Sequence, residues 1–250
     1  MTPLPHGFLQ RPFAHRALHD AMRPENSLSA VRAAVDAGYG IEVDVQPSAD
    51  GIAMVFHDDT LDRMTEVTGP VTARTAEDLK AIALHGTPDT IPTLADVLVA
   101  VGGRVPLTIE VKDQTGALSP DVGPLEEAVA RQITGYAGPL AVMSFNPFSV
   151  AKMQEIAPDV PRGLVTCDFT DDEWSAASDP WRRALVEMSQ LEGTESAFIS
   201  HHADDLGSPH VARARSHGAE ILCWTIRSQA AADAALKIAD QITFEGFTPA

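Results

Sequence analysis

Three acidic residues lie inside runs that otherwise read as buried strands. Glu42 and Asp44 occur in IEVDV, and Glu110 occurs in TIEVK. Because side chains alternate between the faces of a strand, Glu42 and Asp44 point the same way. Converging carboxylates repel one another unless a cation or a shared proton compensates, and oxygen ligands suit Mg²⁺ or Ca²⁺. The sequence therefore predicts one divalent cation, Mg²⁺ or Ca²⁺, at these three residues; the alternative is surface salt bridges at the strand ends.

The segment after the first two carboxylates predicts a β-hairpin. Residues 43–56 read VDVQPSADGIAMVF, in which two apolar arms flank a polar stretch that ends in Asp50-Gly51. Such a dipeptide is a strong hairpin signal. With the turn near residues 49–51, Asp44 faces roughly residues 55–57, and His57 is carried back to the carboxylates. The returning arm is antiparallel and is therefore an addition to the parallel strands.

His15 and Arg16 end the first candidate strand. Active sites of α/β barrels gather at the C-terminal ends of strands, so His15 belongs with the three carboxylates. Two histidines near a phosphoryl group can divide the roles of general acid and base, because each can change charge near neutral pH. His15 and His57 are therefore candidates for the general acid and base, although either histidine taken alone is more often a structural residue. Arg16 and Lys112 would hold the phosphate oxygens.

The elements that position these residues alternate between short β-rich runs and Ala-rich helical stretches, which indicates a parallel sheet with crossover helices. Eight such runs in 250 residues favour an α/β fold of the closed (β/α)8 TIM barrel type over an open sheet. The predicted barrel strands are residues 12–16, 40–45, 106–111, 140–145, 162–166, 197–200, 221–226 and 241–244.

Helix boundaries and loops are also legible in the sequence. Asn26 or Ser27 is predicted to cap the helix in SLSAVRAAVDAG, Thr93 the helix in LADVLVAVG, and Ser228 the helix in AAADAALKIA. Residues 58–92 are charged and rich in turn formers, with a short helix near 76–82, and predict a loop or small cap. Residues 168–196 predict an irregular connection with one or two helical turns. We predict a single domain over residues 1–250, with the hairpin extending strand 2.

Composition limits the possible partners. Thirty-five acidic against eighteen basic residues give a net charge of −17, which disfavours nucleic acid. A small anion can still bind where a cation and a few basic residues reverse the local field. Cys167 and Cys223 lie in separate apolar runs, which predicts buried thiols rather than a disulfide or a zinc site. With neither a signal-peptide pattern nor 18 continuous apolar residues, we expect a cytoplasmic protein without stable membrane insertion and leave its oligomeric state open.

Taken together and in this order, the motifs resemble those of the glycerophosphodiester phosphodiesterase family. That family has His-Arg-Gly, Pro-Glu-Asn, Glu-x-Asp-Val, an Asp-Gly turn, His-Asp and Ile-Glu-x-Lys. The matching positions here are His15-Arg16-Ala17, Pro24-Glu25-Asn26, Glu42-Val43-Asp44-Val45, Asp50-Gly51, His57-Asp58 and Ile109-Glu110-Val111-Lys112, with weaker matches at Ser144-Phe145 and Trp224-Thr225. The resemblance spans nearly the whole chain and is densest over residues 14–65.

The resemblance implies a TIM barrel that hydrolyses glycerophosphodiesters to glycerol 3-phosphate and an alcohol. It implies the same roles for the carboxylates, the histidines and the basic residues, and it places Asn26 close to the site. The glycerol hydroxyl next to the phosphate would attack phosphorus to give a cyclic phosphate, which water then opens. Trp224 is either a wall for the substrate alcohol or a core residue. The pair His201-His202 follows a strand and could reach the active site, but a solvated loop pair is the favoured interpretation.

Two positions depart from the family pattern. Ala17 replaces a glycine, which costs roughly 1 kcal/mol or more if the backbone has a positive φ there. Near the C-terminus the family has Thr-Asp where this chain has Thr243-Phe244-Glu245, so a role of that aspartate does not transfer to Glu245.

Two rival functions remain open at this point. One is a phospholipase D-like or cyclising phosphodiesterase that acts on lysolipids, which would need a membrane-docking surface. The other is a catalytically silent barrel that binds a phosphorylated metabolite. The presence of both histidines, all three carboxylates and both basic residues argues against the silent barrel.

Overall fold

The computed structural model describes residues 1–250, apart from the side chain of residue 173. The strands are β1 (Phe13–Ala14), β2 (Gly40–Pro47), β3 (Ala53–Val55), β4 (Leu107–Val111), β5 (Leu140–Ser144), β6 (Arg162–Thr166), β7 (Phe198–His202), β8 (Glu220–Ile226) and β9 (Gln241–Phe244). The α-helices are α1 (Leu28–Ala37), α2 (Ala76–Lys80), α3 (Leu94–Val101), α4 (Pro124–Ile133), α5 (Pro147–Ile156), α6 (Asp179–Val186), α7 (Pro209–Ser216) and α8 (Gln229–Ala235). Short 3-10 helices lie at Val71–Ala73, Asp172–Trp174 and Ala203–Asp205.

The strands form one sheet that closes on itself. Their order is β1, β9, β8, β7, β6, β5, β4, β2, β3, and β1 also pairs with β2. Within the described residues, eight strands form the closed parallel barrel, while β3 pairs antiparallel with β2 through Val45 and Val55. The predicted TIM barrel and its hairpin extension after strand 2 are therefore confirmed. No helix within the described part of the chain combines the length and apolar content that crossing a bilayer requires.

Contacts divide the chain into two compact units. The N-terminal unit comprises residues 13–112 and 124–140, and the C-terminal unit comprises residues 1–12, 113–123 and 141–250. In the N-terminal unit, Ser27 caps α1 by accepting a bond from the amide of Ala30, and Gly38 ends the helix in the left-handed conformation, with φ of 76°. Thr93 caps α3 through a capping box with Asp96. These helix ends match the sequence prediction.

Residues 58–92 form a small cap whose hydrophobic core is shared with the returning arm of the hairpin. The core includes Phe56 and Leu61, and α2 contributes Leu79. All three side chains are buried. A loop of this length needs such internal packing to hold a fixed conformation. The predicted cap and its short helix are present, although α2 ends at Lys80, before residue 82.

In the C-terminal unit, aromatic side chains pack around α6 and the segment that follows β6. Phe169, Leu118 and Leu185 are buried in this aromatic cluster, together with Cys167. Partly buried Phe145, Val186 and the three tryptophans complete it: Trp174, Trp181 and Trp224. The predicted irregular connection over 168–196 thus contains one 3-10 turn and the two-turn helix α6.

Some boundaries differ from the sequence prediction. Strand β1 covers only Phe13–Ala14, because His15 and Arg16 already turn away from the sheet. Strand β7 continues through His202, and His201 is 1% exposed. The interpretation of His201-His202 as a solvated loop pair was therefore wrong for His201. Its ring is satisfied inside the protein, where Nδ1 lies 2.8 Å from the hydroxyl of Thr166.

Candidate active site

The three strand carboxylates meet in the N-terminal unit. Parallel pairing of β2 with β4 places Asp44 opposite Glu110 and Glu42 opposite Thr108. All three carboxylates are buried, and they offer oxygen atoms that lie within 4.8 Å of one another. Lys112 Nζ lies 3.0 Å from Asp44 and 2.8 Å from Glu110. The side chains that the sequence predicted to converge are therefore together.

Close packing of β1 on β2 brings the His15-Arg16 turn to the same place. Phe13 lies opposite Gly40, where an added Cβ would come within 2.8 Å of the phenylalanine ring, so the contact requires glycine. Beyond β1, the amide of Arg16 donates to a carboxylate oxygen of Glu42 at 2.9 Å. His15 is half-buried and immediately precedes this contact.

The backbone of the turn is unusual for residues other than glycine. Arg16, Ala17 and Asn26 have φ of 50°, 66° and 58°. The family glycine that Ala17 replaces thus stands at a position with positive φ, where alanine is strained. Asn26 uses its conformation to bond Asp44 twice. Its amide nitrogen donates to Asp44 at 2.9 Å, and its oxygen accepts from the Asp44 backbone at 3.3 Å.

The hairpin carries His57 back along β2 as predicted. The amide of Phe56 donates to the carbonyl of Asp44 at 3.0 Å, and Gln46 donates to the carbonyl of His57 at 3.1 Å. The Nδ1 atom of His57 lies 2.7 Å from Asp58. A carboxylate can only accept, so Nδ1 carries the proton and the neutral ring keeps its lone pair on Nε2.

Burial and charge act in opposite directions on the neighbouring carboxyl groups. Burial, reinforced by the charges of Asp44 and Glu110, raises the pKa of Glu42 well above its ordinary value. Burial also opposes ionisation of Asp44, but Lys112, His57, Arg16 and the bond from Asn26 hold its pKa well below the ordinary value. Asp44 is therefore firmly ionised. Too little positive charge lies near Glu42 to stabilise its ionised form in the same way.

The chemistry of this donor set suits a divalent cation. Oxygen Oε1 of Glu42 is buried without a hydrogen-bond partner among the described residues. Such an atom is costly unless something else satisfies it. Three carboxylates face Lys112 and Arg16, and Glu25 shares the charge of Arg16, so negative charge is in excess when all are ionised. A cation with charge +2 would offset this excess and favour the binding of a phosphodiester monoanion.

The remaining substrate-binding candidate, Trp224, lies in the C-terminal unit. Its indole N–H donates to the carbonyl of Ser200 at 2.9 Å, and its ring meets those of Phe145 and His202 edge to face. Trp224 thus belongs to the aromatic cluster and is half-buried there. Glu245, at the departure from the family pattern, forms an ion pair with Arg227 at 2.6 Å.

A set of ion pairs beside the site has no recognisable pattern in the sequence. Glu25 accepts from Arg16 at 2.9 Å, and Arg63 contacts both Glu25 and Asp58. Glu25 and Asp58 belong to motifs shared with the family, but the sequence assigns neither of them a role. Arg63 lies in the cap, where the abundance of charged residues read as a solvated loop; its position six residues after His57 was the available signal.

Comparisons with known proteins show what this chain is similar to. The model of the glycerophosphoryl diester phosphodiesterase family matches residues 15–244. A glycerophosphodiester phosphodiesterase from Caldanaerobacter subterraneus is 32% identical over 173 residues, which cover 65% of this chain and 66% of the relative. Glycerophosphodiester phosphodiesterase 1 from Bos taurus is 26% identical over 243 residues, which cover 86% of this chain and 71% of the relative.

Solved structures share the fold across nearly the whole chain. An Oleispira antarctica phosphodiesterase in complex with the product sn-glycerol-3-phosphate superimposes with a TM-score of 0.77 at 24% identity, covering 97% of this chain and 93% of that one. A glycerophosphodiester phosphodiesterase from Agrobacterium tumefaciens superimposes with a TM-score of 0.69 at 25% identity, covering 94% of this chain and 95% of that one.

Proposed function

Because the chain belongs to the glycerophosphoryl diester phosphodiesterase family, we propose that it hydrolyses glycerophosphodiesters to glycerol 3-phosphate and an alcohol, using one divalent cation. Family membership confirms the resemblance seen in the sequence and the enzyme class, a phosphoric diester hydrolase. One observation carries the metal-dependent reaction: three buried carboxylates whose oxygens lie within 4.8 Å, with Lys112 and Arg16 beside them.

Each side chain has a distinct role in the proposed reaction. Glu42, Asp44 and Glu110 would hold Mg²⁺ or Ca²⁺. Bound there, the cation would neutralise charge on the phosphoryl oxygens and lower the pKa of the attacking hydroxyl. Arg16 and Lys112 would bind the phosphate oxygens, the guanidinium through two parallel bonds and the ammonium as a point charge.

The two histidines would move the protons. His57 holds its proton on Nδ1 against Asp58, so Nε2 is the atom that can take the proton of the glycerol hydroxyl. His15 would then protonate the oxygen of the leaving alcohol as the cyclic phosphate forms. In the second step the roles would exchange, because water attacks phosphorus from the side that the alcohol left. Asn26 would orient Asp44 through its two hydrogen bonds.

The substrate is proposed to be a small glycerol-based diester. The Oleispira antarctica relative holds sn-glycerol-3-phosphate, the product expected here. The role of Trp224 as an apolar wall for the alcohol stays a prediction from the sequence. Choline, ethanolamine, glycerol, inositol and serine all fit this description. The cytoplasmic location and the single-domain organisation stay predictions from the sequence.

The test is release of glycerol 3-phosphate from glycerophosphocholine and glycerophosphoethanolamine. Wild type, His15→Ala and Glu42→Ala would be compared with Mg²⁺, with Ca²⁺ and with EDTA. We expect release that needs the cation and falls at least about 100-fold in both variants, because general acid or base catalysis contributes about 10²- to 10⁴-fold. Absence of glycerol 3-phosphate release from both diesters would reject the proposal. Cleavage of lysolipids to lysophosphatidate and an alcohol would then favour the lysolipid phosphodiesterase, and no cleavage would favour a binding protein.

A further inference from the structure

Arg63 contacts two carboxylates with both edges of its guanidinium group. Nη1 and Nη2 lie 3.0 and 2.6 Å from the oxygens of Glu25. Nε and Nη2 lie 2.7 and 2.8 Å from those of Asp58. Both interactions therefore have the paired geometry of guanidinium and carboxylate, which fixes direction as well as distance. An ammonium group on a flexible stem cannot reproduce this geometry.

Each of these carboxylates also bonds a residue of the candidate active site, through the oxygen that accepts from Nη2 of Arg63. Glu25 accepts from Nη1 of Arg16 at 2.9 Å. Asp58 accepts from Nδ1 of His57 at 2.7 Å. The five residues form one continuous ion-pair network, which runs from Arg16 through Glu25, Arg63 and Asp58 to His57. Arg63 is the central member of this network. A single carboxylate, Glu25 or Asp58, separates it from Arg16 and from His57, the two residues proposed to act on the substrate.

The burial pattern distinguishes this network from an ordinary surface ion pair. The side chains of Glu25 and Asp58 are 15% and 22% exposed, whereas that of Arg63 is 46% exposed. Exposed ion pairs usually contribute little to stability. Here the pairs shield two partly buried carboxylates, and burial alone would raise the pKa of each. Instead, Arg63 and Arg16 hold the pKa of Glu25 below its ordinary value. His57 and Arg63 do the same for the pKa of Asp58.

The backbone that carries Arg63 is anchored without the help of its guanidinium group. The hydroxyl of Thr65 donates to the carbonyl of Leu61 at 3.0 Å, and the amide of Gly69 donates to Asp62 at 3.1 Å. Leu61 itself is fully buried in the core of the cap. Removal of the Arg63 side chain should therefore leave the cap folded, so that its effect on the active site can be measured.

We propose that Arg63 is a positioning residue that holds Glu25 and Asp58, and through them Arg16 and His57, in the arrangement used for phosphodiester cleavage. The proposal rests on the proposed function. Asp58 fixes the ring of His57 and keeps its proton on Nδ1, so that Nε2 remains the base. Without Arg63, Asp58 loses a two-bond partner and the ring gains freedom. Glu25 likewise loses the partner that sets its orientation towards Arg16.

The kinetic test compares Arg63→Ala and Arg63→Lys with wild type at saturating divalent cation. We expect Arg63→Ala to lower kcat/KM about 10- to 100-fold, the usual effect of losing a partner that orients an active-site group. Arg63→Lys should recover little of the lost kcat/KM, because lysine restores the charge but not the paired guanidinium contacts. Arg131→Ala is the matched control, since it removes an exposed arginine of the same unit whose pair with Glu127 spans 4.0 Å. It should retain wild-type activity. A wild-type value for Arg63→Lys would overturn the proposal.

Chemical rescue separates positioning from a general loss of charge. The site left by Arg63→Ala opens to solvent, since the native side chain is 46% exposed. Guanidinium chloride at non-denaturing concentration should raise kcat/KM of this variant several-fold, whereas sodium chloride at equal ionic strength should not. It should leave Arg131→Ala unchanged. Equal responses to both salts would contradict the role of the two paired contacts. Urea unfolding midpoints close to wild type would show that the variants are folded.

A spectroscopic test does not depend on activity. Nitrogen-15 shifts of the imidazole report which ring nitrogen of His57 carries the proton. In wild type we expect the proton on Nδ1, and in Arg63→Ala and Asp58→Asn a shift towards a mixture with the Nε2 tautomer. Unchanged shifts in Arg63→Ala would refute the link to His57. If wild type cleaves no diester, the proposed function fails, but the His57 result still decides whether Arg63 sets the ring.

Discussion

The two units of this protein use the ends of their strands in different ways. In the N-terminal unit, β2 and β4 present Glu42, Asp44 and Glu110 from the sheet, followed by Lys112. In the C-terminal unit, the residues in and after β5, β6 and β8 contribute Phe145, Cys167, Phe169 and Trp224 to the aromatic cluster. The N-terminal unit thus holds several carboxylates close together with too few basic groups to neutralise them, whereas the C-terminal unit buries apolar surface.

This difference separates function from stability within one fold. Carboxylates held together raise the free energy of the folded state unless a cation joins them, so their presence needs a functional reason. Aromatic side chains that pack edge to face stabilise the fold directly. Changes in the N-terminal cluster should therefore affect activity more than stability, and changes in the aromatic cluster should do the opposite.

The largest expected effect is that of Glu42→Gln. The substitution removes one cation ligand and one buried negative charge while keeping the size of the side chain. We expect cation affinity, measured by calorimetric titration with Mg²⁺ and Ca²⁺, to fall at least about 100-fold, with a comparable loss of kcat/KM at limiting cation. In EDTA the free energy of unfolding should rise by about 1 kcal/mol or more, because the repulsion from Asp44 and Glu110 is relieved.

The matched control is Glu126→Gln. Glu126 is also a buried carboxylate of the N-terminal unit, 3% exposed, but it lies on α4 and does not belong to the group of three carboxylates whose oxygens meet. Its substitution should leave cation affinity at the wild-type value. Equal losses in both variants, or an unchanged affinity in Glu42→Gln, would remove the distinction between the strand carboxylates and other buried acids.

The second prediction concerns the aromatic cluster. Phe169 is 2% exposed and contacts Trp174 and Phe145 with ring centroids 5.0 and 6.2 Å away. Phe169→Ala should lower the free energy of unfolding by about 3–5 kcal/mol, the usual cost of truncating a buried phenylalanine. Cation affinity of the folded fraction should stay unchanged. Phe148→Ala, which truncates a 36% exposed ring, should cost far less. Urea unfolding and cation titration of both variants measure these effects.

The contrast between the units also explains what the sequence could predict. Acidic residues in an apolar strand are anomalous one at a time, so Glu42, Asp44 and Glu110 could be recognised without the fold. The hairpin turn at Asp50-Gly51 likewise has a local cause, and it fixed the return of His57. The barrel followed from the alternation of strands and helices, because each element has its own period.

The missed features depend on contacts between distant residues. His201 follows an apolar run, as a loop residue would, but its buried ring has partners in the hydroxyl of Thr166, 35 residues earlier, and in Asp205. Arg63 is one of many charged residues in the cap, and only its contacts with Glu25 and Asp58 in the folded protein distinguish it. Long-range pairing of polar side chains leaves no periodic trace in a single sequence.

The third prediction extends the comparison to pH. Burial lowers the pKa of His201, although Asp205 partly opposes this. Since the unfolded pKa is about 6.5 and the folded pKa is lower, the unfolded state binds the extra proton first, and stability falls as the pH drops below about 6.5. One such group contributes at most about 1.4 kcal/mol per pH unit. His201→Gln should make the unfolding free energy less steep between pH 7 and 5. An identical slope would mean that His201 is not a source of acid sensitivity.

The smallest expected effect is that of Ala17→Gly, which restores the residue type of the family at φ of 66°. Relief of the left-handed conformation favours glycine by about 1 kcal/mol. The greater freedom of glycine in the unfolded state opposes this by about 0.4–1 kcal/mol, and loss of a methyl group that is 1% exposed opposes it by about 0.8 kcal/mol more. The net change in unfolding free energy should therefore lie within about 1 kcal/mol of zero.

Ala17→Val provides the contrast, because a β-branched side chain is a genuine outlier at this φ and should destabilise the protein clearly in the same urea titration. A large gain in Ala17→Gly would show that strain in the turn beside Glu42 outweighs the packing of the methyl group.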